Sequence, residues 1–383
     1  MSDMAYSAVP SAPPSYDPDW LQSAEDCTDE LEASGIDFDI SDLGAPPGYE
    51  TLGFSDTSVP PPYVPPRQPD TAPQHQFTSV FINEDEAKEA LLSYVTQHCC
   101  YGKSAARDMN INNILPSNAL HYQLVTFAEH RTTKRAFKSY KGERIDGPSN
   151  GSPPAPWDIP CPPRNYFENE VRHLEVPHTQ ELKKCHRCKG SGRITCTKCH
   201  GVKKVKCDVC NGNGIDRRSK RRCSACDGKK RRRCEKCNMS GRIVCVICHS
   251  VGKVKWFVKL TVIFQNSIGE DIVEHTDFPK DLIKGAEGSI IFDETQDMVY
   301  PVTEYPDQEL NNISTRLVRL HFDTSQRNNK RIHKQRHMIR AVPVSEVHWT
   351  WQTHGSRFWV YGQEKKVHIQ GYPQKYCYGC VIL

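Results

Sequence analysis

Between Cys185 and Cys248 the chain reads CHRCKGSGRITCTKCHGVKKVKCDVCNGNGIDRRSKRRCSACDGKKRRRCEKCNMSGRIVCVIC. Six Cys-x-x-Cys pairs fall in this stretch: Cys185/Cys188, Cys196/Cys199, Cys207/Cys210, Cys223/Cys226, Cys234/Cys237 and Cys245/Cys248. Their first cysteines are 11, 11, 16, 11 and 11 residues apart, a series that reads the same in both directions. Three nested couplings (first pair with sixth, second with fifth, third with fourth) therefore share one midpoint, between Asp216 and Arg217. A chain folded back at that point brings each pair to its partner.

The ligand count supplies the chemistry. A structural zinc takes four thiolates in a tetrahedron, and a Cys-x-x-Cys turn offers two of them from one side. Twelve cysteines make three four-cysteine zinc sites. Neighbouring pairs are poor partners, because only seven residues separate Cys188 from Cys196, against roughly 15–20 between the halves of a sequential site. The nested arrangement is expected: Cys185, Cys188, Cys245 and Cys248 at the base, Cys196, Cys199, Cys234 and Cys237 in the middle, Cys207, Cys210, Cys223 and Cys226 at the tip. Glycines follow the pairs, with Gly190/Gly192 and Gly212/Gly214 completing Cys-x-x-Cys-x-Gly-x-Gly twice. A zinc knuckle turns through positive φ just past its second cysteine, where glycine meets no Cβ clash.

The repeated Cys-x-x-Cys-x-Gly-x-Gly resembles the cysteine-rich zinc region of DnaJ-type co-chaperones. The resemblance implies nested pairs and a part in holding non-native polypeptides. That family has four pairs, and this chain has six. It also contains no His-Pro-Asp and no readable J-domain hairpin, so stimulation of a chaperone ATPase is not implied. The whole layout is similar to the Ssu-two homologue family: a proline-rich start, a short mixed segment, a DnaJ-like zinc region and a strand-rich tail. That resemblance implies a chaperone-like protein that binds polypeptide clients, linked in animals to tooth development.

The rest of the composition sets bounds. The 383 residues allow two or three domains, and a mean hydropathy of −0.64 is low enough to expect an unfolded part. No apolar run approaches the roughly 20 residues of a membrane helix. The acidic, Pro-rich start lacks the basic and apolar regions of a signal peptide. Eighteen cysteines without an export signal point to a reducing, cytoplasmic setting and to metal rather than disulfides. Charge is segregated. Residues 1–70 hold 14 Asp/Glu and one Lys/Arg, whereas residues 183–255 hold 23 Lys/Arg and four Asp/Glu. Three zinc ions on twelve thiolates leave the arm at about +13.

Residues 1–76 read as a disordered acidic tail. It carries three Pro-Pro-x-Tyr motifs, Pro13-Pro14-Ser15-Tyr16, Pro46-Pro47-Gly48-Tyr49 and Pro60-Pro61-Pro62-Tyr63. Proline pre-sets the polyproline II helix that WW domains bind, so WW-containing proteins such as ubiquitin ligases are the expected partners. Tandem copies raise effective concentration on a multi-WW partner. Residues 77–182 form a mixed α/β segment. Asn83 with Glu86 caps a helix whose apolar face, Ala87, Ala90, Leu91 and Tyr94, runs to about Cys99. Cys99 and Cys100 are assigned to helix-end packing. His121–Phe127 alternates as a strand, with Arg135–Tyr140 as its return partner, and residues 146–165 are a linker or an irregular crossing.

The arm, residues 183–255, gathers its cations at the tip: Arg217, Arg218, Lys220, Arg221 and Arg222, then Lys229, Lys230, Arg231, Arg232 and Arg233. Nucleic-acid phosphate or a nuclear import factor is the alternative partner here, and would give a nuclear pool. Stacking aromatics are absent between Cys185 and Cys248. Residues 256–370 form a β-rich domain, with strands expected at Trp256–Phe264, Ile290–Phe292, Leu317–Phe322, Met338–Val342, Val347–Trp351, Phe358–Tyr361 and Val367–Ile369, and a turn at His354-Gly355. The arm's stems, near Leu182 and Lys255, are expected to rest on one body. Residues 371–383 are a flexible tail ending in Cys380-Val381-Ile382-Leu383. This C-a-a-X box favours geranylgeranylation of Cys380 and a membrane-associated fraction. One prenyl chain is a marginal anchor, and Cys377 is the candidate for a palmitoyl second.

The expected fold class is thus α+β, mostly β, with a zinc-stabilised hairpin arm. No Ser/His/Asp order, phosphate-binding glycine loop or open zinc position is readable, so no enzymatic activity is expected.

Overall fold

The computed structural model describes residues 82–216 and 220–375. The fold is mostly β, and two compact units divide it. The N-terminal tail with its three Pro-Pro-x-Tyr motifs, Arg217, Arg218, Cys377 and Cys380 lie outside the described residues.

The first unit holds Arg131–Cys161 and Val171–Val262. Its strands are the second part of β1 (Asn110–Ser139), β2 (Glu170–Glu175), β3 (Glu181–Lys184) and the first half of β8 (Lys253–Val273). Between β3 and β8 the chain makes the arm, with short strands β4 (Arg193–Thr195), β5 (Lys204–Lys206), β6 (Arg231–Arg233) and β7 (Arg242–Val244). β3 pairs antiparallel with β8, and Leu182 and Lys255, the expected stems, are Cα partners. Lys255 is buried there, its ammonium between Glu175 (3.1 Å) and Glu143 (3.4 Å). A buried cation without such partners is costly. Residues 146–161 cross irregularly, with a single 3-10 turn at Pro148–Asn150. The Arg131 guanidinium ties them down, donating to the carbonyls of Pro156 and Ile159 and lying 4.8 Å from the Trp157 ring.

The second unit holds residues 82–130, Pro162–Glu170 and the chain from Ile263. β10 (Arg331–Trp351) is its central strand. One edge pairs with β1 from Asn110↔Thr350 to Glu129↔Arg331. The other edge is shared: β11 (His354–Tyr361) takes Val344–Trp351, β9 (Ser289–Gln296) takes Gln335–Ala341, and β12 (Lys366–Ile369) closes on β11. Helix α1 (Glu84–Thr96) has the expected capping box between Asn83 and Glu86. It packs Ala87, Leu91 and Val95 with Trp349 and Phe358, beside α2 (Ser104–Asp108). Phe278 and Ile283 of the segment around α3 (Lys280–Lys284) cover Trp359 and Tyr361.

Four expectations are corrected. Leu317–Phe322 is not a strand but the middle of α4 (Gln308–Arg327). Leu310, Ile313, Leu317, Val318 and His321 are among the buried positions, at helical spacing that a six-residue window hides. His121–Phe127 and Arg135–Tyr140 are not hairpin partners: Asn110–Ser139 is one 30-residue strand, and no Gly, Pro, Asn or Asp between them supplies a turn. Met338–Val342 and Val347–Trp351 are likewise one strand. The hairpin after it turns at Gln352, with φ +53°, so His354 and Gly355 belong to β11.

Candidate metal centres

Each Cys-x-x-Cys turn is built on the same backbone. The residue after its second cysteine is left-handed in all six (Lys189, His200, Asn211, Asp227, Asn238 and His249), and so are the second and fourth residues beyond it. This explains the missing glycines, because Met239 and Ser250 hold φ +65° and +74° where the first four pairs have glycine. The first cysteine of every pair donates its N–H to the fourth residue beyond the partner pair: Cys185 to Gly252, Cys196 to Gly241, Cys207 to Lys230, Cys223 to Gly214, Cys234 to Lys203 and Cys245 to Gly192. Those six bonds bind each turn to its nested partner. Glycine is required at the base, where a Cβ on Gly192 would lie 2.0 Å from the Ser250 carbonyl oxygen.

The sulfurs converge as the nested reading requires. Cys185, Cys188, Cys245 and Cys248 form one group, Cys196, Cys199, Cys234 and Cys237 a second, and Cys207, Cys210, Cys223 and Cys226 a third. Every sulfur lies within 4.8 Å of the others in its group, and all twelve residues are buried. Cross-arm separations are 3.8 Å for Cys185–Cys245, 3.6 Å for Cys188–Cys248, 3.7 Å for Cys196–Cys234, 3.6 Å for Cys199–Cys237 and 3.7 Å for Cys210–Cys226. A tetrahedron with metal–sulfur bonds of about 2.3 Å has edges of about 3.8 Å. Disulfide sulfurs would stand about 2.05 Å apart. The groups therefore fit a tetrahedral ion and are not oxidised pairs.

The electrostatics agree. Burial pushes the Cys185 thiol up to about 12, whereas at Cys188 burial is outweighed by the Gly192 N–H and flanking thiols, which bring it to about 7. In the middle group burial lifts Cys234 to about 11, and at Cys196 it is outweighed by N–H groups of Cys199 and Lys198, giving about 7. At the tip burial lifts Cys226 to about 11, and at Cys210 it gives way to the Gly214 N–H and neighbouring thiols, giving about 6. Each group thus has a sulfur ready to carry charge beside one that resists it. Four thiolates this close repel until a cation joins them. With four cysteines on an ion no coordination position is left open for catalysis.

The base group rests on apolar ground formed by Val254, Trp256, Phe137, Ile194 and Ile247. Outward, the sites are spaced by β4 on β7 and β5 on β6. The β5–β6 register sets Lys204 against Arg233 and Lys206 against Arg231. All four are exposed and make no ion pair among the described residues. Like charges directly opposite each other are destabilising. Arg232 differs, holding Asp208 (2.7 Å) and Glu235 (3.1 Å). At the tip Ile215 bridges Arg222, whose Nε donates to the Asp227 carbonyl, and the Arg221 carbonyl accepts from the Asp216 N–H. Lys220 and Lys229 line the open space beside this turn.

Charge patterning hid a second property of the arm. Val202, Val209, Ile215, Val244, Val246 and Val251 are each about half exposed or more, and single valines between cations gave no periodic signal. A buried ladder in the second unit was also missed. The Val302 N–H donates to Ser314 Oγ (2.9 Å), Ser314 to Tyr122 Oη (3.0 Å), Tyr122 to His337 Nδ1 (3.1 Å), and His337 Nε2 to Glu294 (2.7 Å). Its members are scattered over β1, β9, α4 and β10, which no local pattern joins. Cys99 does not pack a helix end, because it is exposed.

The chain is 38% identical over 303 residues to human Protein SSUH2 homolog, covering 79% of this chain and 80% of the relative. The zebrafish (Danio rerio) Protein SSUH2 homolog is 39% identical over 337 residues, 86% of this chain and 92% of the relative. The chain belongs to the SSUH2 family. The mouse member of the family is 41% identical over 241 residues, 63% of this chain and 71% of the relative. No family model matches the chain, and no solved structure matches it. The resemblance to the Ssu-two homologue family drawn from the sequence is thereby established.

Proposed function

We propose that the protein is a non-enzymatic, zinc-binding, chaperone-like adaptor. The observation that carries this reading is the arm itself: three buried four-cysteine groups brace a hairpin that leaves six aliphatic side chains half exposed among lysines and arginines. Apolar surface of this kind favours binding to exposed apolar stretches of another polypeptide. Zinc suits a closed set of four thiolates in a tetrahedron. In this reading the N-terminal tail recruits a WW-domain protein, such as a ubiquitin ligase, through Tyr16, Tyr49 and Tyr63. Geranylgeranylation of Cys380, with palmitoylation of Cys377, places a fraction of a cytoplasmic protein at the membrane, and a developmental role in the tooth is part of the same reading. The test is suppression of aggregation of a denatured client at moderate salt. The zinc-loaded protein should suppress it and the chelated protein should not. Equal suppression by both, or none by either, would overturn the reading.

A second reading, nucleic-acid binding, is favoured by the unpaired quartet Lys204, Lys206, Arg231 and Arg233. It predicts affinity that falls steeply with salt, and a shallower slope for Lys204→Glu/Lys206→Glu. Binding that ignores salt would dismiss it.

A further inference from the structure

Cys99 and Cys100 differ from the cysteines of the arm in setting. Among the described cysteines Cys99 alone is exposed, whereas Cys161 and the twelve of the arm are buried. The adjacent pair follows the end of α1, and the Tyr101 N–H donates to the His98 carbonyl (3.1 Å). Cys99 and Cys100 are thus the two central residues of a hydrogen-bonded β-turn. Their sulfurs are 3.6 Å apart, and disulfide sulfurs stand about 2.05 Å apart. Both are thiols here, and neither belongs to a four-cysteine group.

That turn carries the residues that hold the end of the second unit. The His98 ring stacks on Tyr101 at 5.0 Å, and Tyr101 stacks on Tyr372 at 5.0 Å. Tyr101 bridges to Lys375, and the Gly102 N–H donates to the Gln374 carbonyl (2.9 Å). Tyr372 donates its hydroxyl to the Gly102 carbonyl (2.6 Å). The Gln374 side chain accepts from the Ser104 hydroxyl (2.8 Å) and the Ala105 N–H (2.9 Å). Tyr101 and Gly102 are therefore placed by the cysteine turn on one side and gripped by residues 372–375 on the other.

We propose that Cys99 and Cys100 are a site of reversible oxidation by a hydroperoxide, and that its closure loosens residues 372–375 from the turn between α1 and α2. The exposed Cys99 sulfur attacks the peroxide. An S–O bond forms, the O–O bond breaks, and the alcohol leaves with the Cys99 thiol proton. The Cys100 sulfur then displaces the hydroxyl of the sulfenic acid, so that an S–S bond forms and water leaves with the second thiol proton. The two thiols lose two electrons and the peroxide gains them. Exposure selects this pair over the buried cysteines of the arm. Reversibility follows from adjacency. Neighbouring Cα atoms are about 3.8 Å apart across a trans peptide, closer than the roughly 4.4–6.8 Å usual for a disulfide. The closed ring contains the peptide bond between the two residues and is strained, and strained, exposed disulfides are the readily reduced ones. The same strain falls on the His98–Tyr101 turn, which carries it to the bond between Gly102 and Gln374.

The test treats the full zinc-loaded chain with one equivalent of tert-butyl hydroperoxide and then alkylates the remaining thiols. The peptide holding Cys99 and Cys100 should be lighter by two hydrogens and carry no alkyl group. Dithiothreitol should restore both thiols, and native mass spectrometry should find the metal content unchanged. The Gly102 N–H should exchange with deuterium several-fold faster in the oxidised protein and slow again on reduction. Cys100→Ser should stop at the sulfenic acid on Cys99, trapped by dimedone, with Gly102 exchanging as slowly as in the reduced parent. Loss of metal from the arm before any change at Cys99, a Cys99 disulfide between two chains, or equal Gly102 exchange in the oxidised and reduced protein would overturn the proposal.

Discussion

The sulfurs of Cys188 and Cys248 lie 3.6 Å apart although 60 residues of sequence separate them. That closure belongs to the base group, next to the paired strands β3 and β8. It depends on Gly192 and Gly252, each of which faces the carbonyl of a residue in the partner turn. Gly192→Ala should therefore lose one metal ion and lower the melting temperature. A Cβ there would meet the Ser250 carbonyl oxygen at 2.0 Å, and the residue holds φ +71°. Gly285→Ala, where nothing lies within 4 Å, should change neither. Metal analysis with thermal unfolding checks both.

Stability should fall as pH drops below about 6.5. Burial lowers the proton affinity of His337, against the opposing pull of Glu294 and Asp293, and burial does the same at His321 and, first among several causes, at His121. These histidines are neutral in the fold and take a proton at about 6.5 once unfolded. Their contribution is present above that value and is lost as pH falls toward the depressed folded values. A charged His337 would also leave Tyr122 without an acceptor. Thermal unfolding from pH 7.5 to 5.5 should show the loss, with a smaller loss in His337→Gln. A flat profile would count against the ladder.

Asp307 caps α4 by accepting from the N–H groups of Glu309 and Leu310, and its carboxylate also pairs with His275 at 2.7 Å. Asp307→Ala should cost about 1 kcal/mol. Asp307→Asn keeps the cap and loses only the exposed ion pair, so it should cost less. Denaturant unfolding of the two variants tests this order.

Two predictions concern segments outside the described residues. Tyr16→Ala/Tyr49→Ala/Tyr63→Ala should abolish recovery on an immobilised WW-domain array. In a host that prenylates, Cys380→Ser should shift protein from the membrane fraction to the soluble one. Recovery or distribution unchanged from the parent would remove the corresponding motif from the account.

Much of the arm was legible because metal ligation is written in spacing. A palindromic set of steps admits one set of nested partners, and six turns of one kind cannot be accidental. The capping box at Asn83 and Glu86 was legible for a similar reason, since both partners lie within one helical turn. What spacing cannot carry was lost. Leu317, Val318, Leu320 and Phe322 look like a strand until Asp307 and Leu310 are read with them. Strand β1 was cut in two because its central residues, Glu129 to Lys134, are polar. Several of them are buried through partners distant in sequence: Glu129 pairs with His333, and Arg131 with the carbonyls of the crossing segment. The Tyr122–His337 ladder has no local signature at all.

The nested coupling of the six pairs is tested most directly by counting ions in chains that lack whole pairs. Removing Cys185/Cys188 by serine substitution should cost one ion, removing Cys245/Cys248 should cost one, and removing all four should still cost only one. Removing Cys185/Cys188 together with Cys196/Cys199 should cost two. Sequentially coupled pairs would give the opposite result, two ions lost for the first combination and one for the second, and would contradict the nested account.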